Sequence, residues 1–434
     1  MGGREPLLLR CPLILPCSGC EVVRDVVVYI EDGVIEYVGS ELKNGYRRGV
    51  VIECPKRSIA IPCLYNAHTH TGMLLFRGSY DDEDLESWSR KISVLEKRLQ
   101  PWMVYHASRL AALEALSSST CGLVDTYLYP RESMKALRDV GVRALVGRLI
   151  TGIDDLQEAR RAFDDAKAIR GEGGGLIGAV IDVREAALLP PETLKVIAEQ
   201  ALELGVPLQI HVSQTRREVY VAKKRHGRFP IELLESIGAL TPLTILVNTG
   251  WVASWELNLV SRKGARLAFC PTTTMKLATG GHFPLKEVLE AGINVGLGTG
   301  SPAASNSLNM LREMRVMILL QRFSYWDTRI GARDALKIAT EGSARLMGVR
   351  AGAIEEGRAA DIAVVSLKNP WFTPLTANNI ISHIVYNATP GDVEYTIVNG
   401  RPVYAKNSEH IQRLLEESRE KLEEAIEALG GAVS

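Results

Sequence analysis

The sequence has no apolar run of the roughly 18 residues that a membrane span needs. It also has no excess of one charge. Lys plus Arg and Asp plus Glu each number 51, for zero formal charge at pH 7, so no global field draws nucleic acid or anionic lipid to it. The opening MGGREPLLLRCPLILPC is apolar, but Arg10 and Pro12 interrupt it and no small-residue cleavage site follows in the expected form. Pro6 spoils a myristoylation signal. Cysteine is sparse and odd in number, seven residues at 11, 17, 20, 54, 63, 121 and 270. That scatter argues against a disulfide framework and for a reducing compartment, hence the cytoplasm. Cys17 and Cys20 form a lone C-x-x-C, which without a second pair reads as a hairpin tip rather than a metal knuckle. A disulfide there is the alternative if the source is a hyperthermophile.

Core material, by contrast, is plentiful. With 434 residues, 46% of them hydrophobic, the chain suits one large barrel of about 250 to 300 residues plus a smaller module. Residues 22–53 alternate as strands and turns, with Asp32 and Gly33 marking a tight hairpin. From about residue 59 the pattern changes to short apolar runs separated by helical segments: IAIPCLYNA, CGLVDTYL, RALVGRL, GLIGAVID, PLQIHV, LTILVNT, ARLAFCP and NVGLGTG. Strands buried on both faces read as such runs, and eight strand-helix units in succession are the arithmetic of a closed barrel. After about residue 352 the strand pattern returns, with Asn399 and Gly400 as a second hairpin turn. The expected fold class is therefore α/β. A (β/α)8 TIM-type barrel over residues 59–351 is flanked by a small β-sandwich built from residues 1–58 and 352–434. The tail carries Ile411, Leu414, Leu415, Leu422, Ile426 and Leu429 at helical spacing, with Ser408 as N-cap, and predicts an amphipathic closing helix.

Active sites of such barrels lie at the C-terminal ends of the strands. The first run ends in His68, Thr69 and His70, and alternate strand residues point to the same side, so both imidazoles can reach one metal. The fifth run ends in His211, a third nitrogen donor aimed at the same mouth. A lone histidine is more often a satisfied core or surface residue; three at strand ends favour a shared site.

The stretches IPCLYNAHTHTGMLLFRG, HVSQTRREV, LVNTGWVASWELNLVSRKGARLAFCPTTTMKLATGG and GLGTGSPAASNSLNMLREMR resemble the amidohydrolase superfamily. The resemblance is to the group of adenosine and S-adenosyl-compound deaminases and their chlorohydrolase relatives, and it runs over most of the chain. It implies one Zn or Fe ion held by the strand-one pair, a strand-five His and a strand-eight Asp. A strand-six His and a Glu three residues after the strand-five His complete the chemistry. His68, His70 and His211 match that pattern. Where the group has its strand-six His, strand-eight Asp and catalytic Glu, this chain has Asn248, Gly300 and Gln214. Phe269 replaces the His before Cys270, and Arg184 replaces a strand-four His that contacts substrate. The resemblance places Trp88, Glu96 and Arg148 as an aromatic wall, a ribose-hydroxyl acceptor and a polar substrate contact. The alternative is a charged helix face that carries Trp88 and Glu96 for no purpose beyond solubility.

Three neutral histidines still make a zinc set, but glutamine has no titratable proton and glycine no side chain. General acid-base groups are each worth roughly 10² to 10⁴ in rate. The expectation is a degenerate site with little standard deaminase activity, its metal weakly bound or absent. It would take a small polar heterocycle or nucleoside-like ligand, and the chain would form a homodimer or pair with an active paralogue. The alternative is an active aminohydrolase or chlorohydrolase with a rewired three-histidine site. Glu185 and His282 lie in segments that approach the mouth, but surface placement is the expectation for both. CPTTTMKLATGG reads as a flexible loop after strand seven.

Overall fold

Two kinds of strand pattern, alternating at the ends and continuously apolar in the middle, separate into two sheets in the computed structural model, which describes residues 5–42, 45–151, 156–186 and 189–431. The N-terminal end supplies β1 (Leu7–Ile14), β2 (Val23–Glu31), β3 (Val34–Gly39), β4 (Val50–Glu53) and β5 (Ser58–Pro62). The barrel region supplies β6 (Leu64–Thr69), β7 (Thr120–Tyr127), β8 (Arg143–Ile150), β9 (Ile177–Ala179), β10 (Ile181–Val183), β11 (Leu208–Val212), β12 (Thr244–Asn248), β13 (Arg266–Phe269) and β14 (Val295–Leu297). The C-terminal end adds β15 (Ile362–Ser366), β16 (Val393–Val398) and β17 (Arg401–Ala405).

The barrel runs β6-β7-β8-β10-β11-β12-β13-β14, parallel throughout. A parallel bridge between Thr69 and Gly300 joins its two ends. Strands β6, β7, β11 and β12 are buried at every residue, which is why they lack the regular polar-apolar alternation of a half-exposed strand. The fourth strand is split into β9 and β10 around Val180, whose carbonyl comes so close to β8 that a Cβ at Gly147 would lie 1.8 Å from it.

Both chain ends meet in one mixed sheet, ordered β17-β16-β15-β5-β1-β2-β3 with β4 beside β1. Its hairpins turn at Asp32 (φ 49) and Gly33 (φ 85), and at Asn399 (φ 50) and Gly400 (φ 75), the paired positive angles of a type I′ turn. The two turns abut, since a Cβ at Gly33 would sit 2.5 Å from Asn399 Oδ1. Buried Asp361 ties this sheet to the barrel through Arg143 Nε at 3.0 Å and the Tyr65 hydroxyl, and within the sheet it accepts from the Asn399 amide at 2.6 Å.

Three expectations change. The run IAIPCLYNA is two strands: β5 pairs with β1 and β15 in the terminal sheet, and the first barrel strand starts at Leu64. Both strands are buried on both faces, so apolarity did not mark the hand-over. Four of the seven cysteines are paired, Cys11 with Cys54 and Cys17 with Cys20. Parallel register sets Arg10 against Glu53, so the residues that follow fall side by side, with a Cα separation of 5.0 Å. The inference from an odd cysteine count to a reducing compartment loses its premise. The tail helix spans Glu409–Ala428, with Ile411, Leu422 and Ala425 buried, but Ser408 makes no side-chain capping bond. Among the described residues no helix is long and apolar enough to cross a membrane.

Candidate functional site

His68 and His70 leave the end of β6 two residues apart, and His211 stands on β11. All three are buried, and their ligand nitrogens lie within 4.8 Å of one another. Each of the first two rings is oriented by a neighbour. His68 Nδ1 lies 2.9 Å from Gln209 Oε1, and the Gln209 amide is fixed because its Nε2 donates to the Ala67 carbonyl at 2.9 Å. His70 Nδ1 meets the Thr126 carbonyl. In both rings Nδ1 is thus the donor, which leaves Nε2 with a free lone pair. Burial pushes His68 down to about 4, with His211 adding to the shift, and carries His70 well below its ordinary value. Both are neutral at pH 7, the form that binds metal. His211 Nε2 is buried without a hydrogen-bond partner. Three such nitrogens fit an ion of the zinc type.

A carboxylate that the sequence reading missed stands beside them. Asp182, on β10, is fully buried. Its Oδ2 accepts from Thr126 Oγ1 at 2.6 Å and lies 3.6 Å from His211 Nε2. Burial disfavours its charge, but His211 first, then His68 and His70, outweigh that and hold it below the usual carboxylate range. The signal was available: Asp182 ends the run GLIGAVID and precedes Arg184 by two, so both project from the same face of the strand end.

The mouth cavity is lined by His68, His70 and His211 together with Trp88, Arg184, Glu185, Gln214, Asn248, Thr273 and Gly300. Five substituted or substrate-side positions of the sequence reading therefore share one space with the histidines. Glu185 lines it too and is exposed, so it stands at the surface, as expected, on the rim of the mouth. Trp88 is buried on the helix Leu85–Glu96, which Asp84 caps through the Ser87 amide. Glu96, at the end of that helix, accepts from the Tyr127 hydroxyl at 2.9 Å and lies 3.8 Å from Arg184 Nη2. It touches the cavity wall through Arg184 and is not itself among the lining residues. Arg148 is committed elsewhere: its Nε donates to Asp165 Oδ2 at 2.8 Å, and it does not line the cavity. His282 packs edge-on against Tyr325, and Phe269 stacks on Phe283.

The segment expected as a flexible loop begins with a helix, Pro271–Lys276. Its Thr273 donates to the Thr299 carbonyl at 2.9 Å and fills the space beside Gly300. A Cβ at Gly300 would lie 2.4 Å from Thr273 Oγ1, and the glycine φ is +66.

Known proteins resemble this chain over nearly its whole length. The chain is 34% identical over 406 residues to a 5-methylthioadenosine/S-adenosylhomocysteine deaminase of Pyrococcus furiosus, covering 92% of this chain and 94% of that protein. It is 31% identical over 437 residues to a 5′-deoxyadenosine deaminase of Methanospirillum hungatei, covering 98% and 97%. Among solved structures, a zinc-bound adenosine deaminase from Xanthomonas campestris superposes with a TM-score of 0.86 at 25% identity over 96% of this chain and 97% of that one. A zinc-complexed atrazine chlorohydrolase from Arthrobacter aurescens shares the fold, with a TM-score of 0.86 at 20% identity over 96% and 100%. The amidohydrolase family matches residues 59–403, and with these relatives spanning nearly its whole length, the chain belongs to that family.

Proposed function

We propose that this protein binds one divalent metal ion, Zn or Fe, through His68, His70 and His211. A nucleoside-like or other polar heterocyclic ligand sits against Trp88 and Arg184, and standard adenosine-type deamination is largely lost. Gln214 carries this reading, because it lines the same cavity as the three histidines and an amide has no titratable proton to deliver to a leaving amine. Asn248 and Gly300 add to it, the first without an imidazole and the second without a side chain. When bound, the ion supplies Lewis-acid polarisation. The names of the relatives make 5′-substituted adenosines the first ligands to try. A ligand-binding or regulatory role, as a homodimer or beside an active paralogue, is the setting this reading implies.

Asp182 favours a second reading, an active aminohydrolase or chlorohydrolase with a rewired site, because it brings an acidic group to the histidines by another route. Metal analysis, thermal shift and turnover on 5′-deoxyadenosine, 5-methylthioadenosine, guanine and a chlorotriazine separate the two. Stabilisation by a heterocycle without turnover supports the first. Turnover at about one metal per chain supports the second. No metal and no ligand-induced shift refutes both.

A further inference from the structure

We propose that Asp182 is the anionic ligand of this metal site, so that the carboxylate missing from strand eight is supplied from strand four, on the opposite side of the barrel. This rests on the three-histidine reading above and deepens it. Asp182 is fully buried, yet its Oδ1 has no hydrogen-bond partner, and neither has His211 Nε2. At 3.6 Å the Asp182 Oδ2 and His211 Nε2 are too far apart to satisfy each other by a hydrogen bond. That separation suits two ligand atoms that each stand about 2.0–2.2 Å from one ion. Buried unpaired polar atoms are costly; an ion between Oδ2 and His211 Nε2 satisfies the imidazole, and one held by both carboxylate oxygens satisfies Oδ1 as well.

The surroundings reinforce the choice. Thr126 orients two members of the set at once, its carbonyl taking His70 Nδ1 and its hydroxyl donating to Asp182 Oδ2. Such outer contacts fix ligand geometry and tune affinity. On the strand-eight side Thr273 fills the space that any side chain at 300 would need. An acidic residue is therefore disfavoured at position 300, where the resembled group carries it, and present at the facing strand end.

Cobalt(II) is the probe. Metal-free full-length protein is titrated with Co(II) against a chromophoric chelator while its visible absorption is followed, for wild type, Asp182→Asn, Asp182→Glu and Thr126→Val. The expected result is one Co(II) per wild-type chain. Asp182→Asn should bind at least 100-fold more weakly with a changed visible band, Asp182→Glu should recover most of the affinity, and Thr126→Val should lose about tenfold. Circular dichroism melts in chelator check that each variant folds; if Asp182→Asn does not, Thr126→Val and Asp182→Glu still decide. Wild-type affinity and an unchanged band in Asp182→Asn overturn the proposal and leave the three histidines standing. Weaker binding with an unchanged band also overturns it, since Asp182 then only positions His211. Failure of wild type to bind Co(II) removes the histidine reading as well.

Discussion

Restoring the acidic residue at position 300 tests whether the strand-eight side of the mouth is closed. Gly300 has φ +66, and a Cβ there would lie 2.4 Å from Thr273 Oγ1 and 3.1 Å from Thr273 Cβ. A left-handed conformation costs a non-glycine residue roughly 1–2 kcal/mol, with aspartate at the low end. Forcing a side chain into filled space typically costs about 1–3 kcal/mol. Gly300→Asp should therefore destabilise by about 2–4 kcal/mol in urea unfolding with chelator present, so that no metal offsets the loss. Thr273→Ala alone gives up the hydrogen bond to the Thr299 carbonyl, worth about 1 kcal/mol. It also removes the atom in the way, so the double variant should lose at least 1 kcal/mol less than the sum of the singles. A Gly300→Asp protein as stable as wild type, or strictly additive effects, would show that Thr273 does not block the position and that the strand-eight side is open to a ligand.

The remaining predictions are shorter. His68 sits near 4 in the folded protein against an ordinary 6.5, so between those values the unfolded chain holds a proton that the folded one does not. The metal-free protein should then lose up to about 3 kcal/mol as pH falls from 6.5 through 4, and nothing from this group above 6.5; urea midpoints flat across that window contradict it. Gln214→Glu puts a titratable group into the cavity and should raise ammonia release from 5′-deoxyadenosine by tenfold or more over wild type; unchanged release would mean that position 214 does not limit the reaction. Arg143→Ala leaves buried Asp361 without its guanidinium and should cost about 3–5 kcal/mol by denaturant unfolding; a loss under 1 kcal/mol would show that the sheet-barrel junction does not depend on that pair.

What could be read along the chain was whatever depends on near neighbours. The barrel runs, the two I′ turns at Asp32 and Gly33 and at Asn399 and Gly400, the closing helix and the histidines at strand ends all follow from side-chain alternation and turn chemistry within a few residues. Those signals survive without knowledge of the fold. What only the tertiary structure decided depends on which distant residues meet. Pairing of β10 with β11 sets Asp182 near His211 and pairing of β13 with β14 sets Thr273 against Gly300, parallel register sets Cys11 beside Cys54, and Asp165 takes Arg148 away from the mouth. Pattern and propensity specify which face a side chain takes, but the partner across that face is chosen by strand register and barrel closure, and those are properties of the whole packed chain.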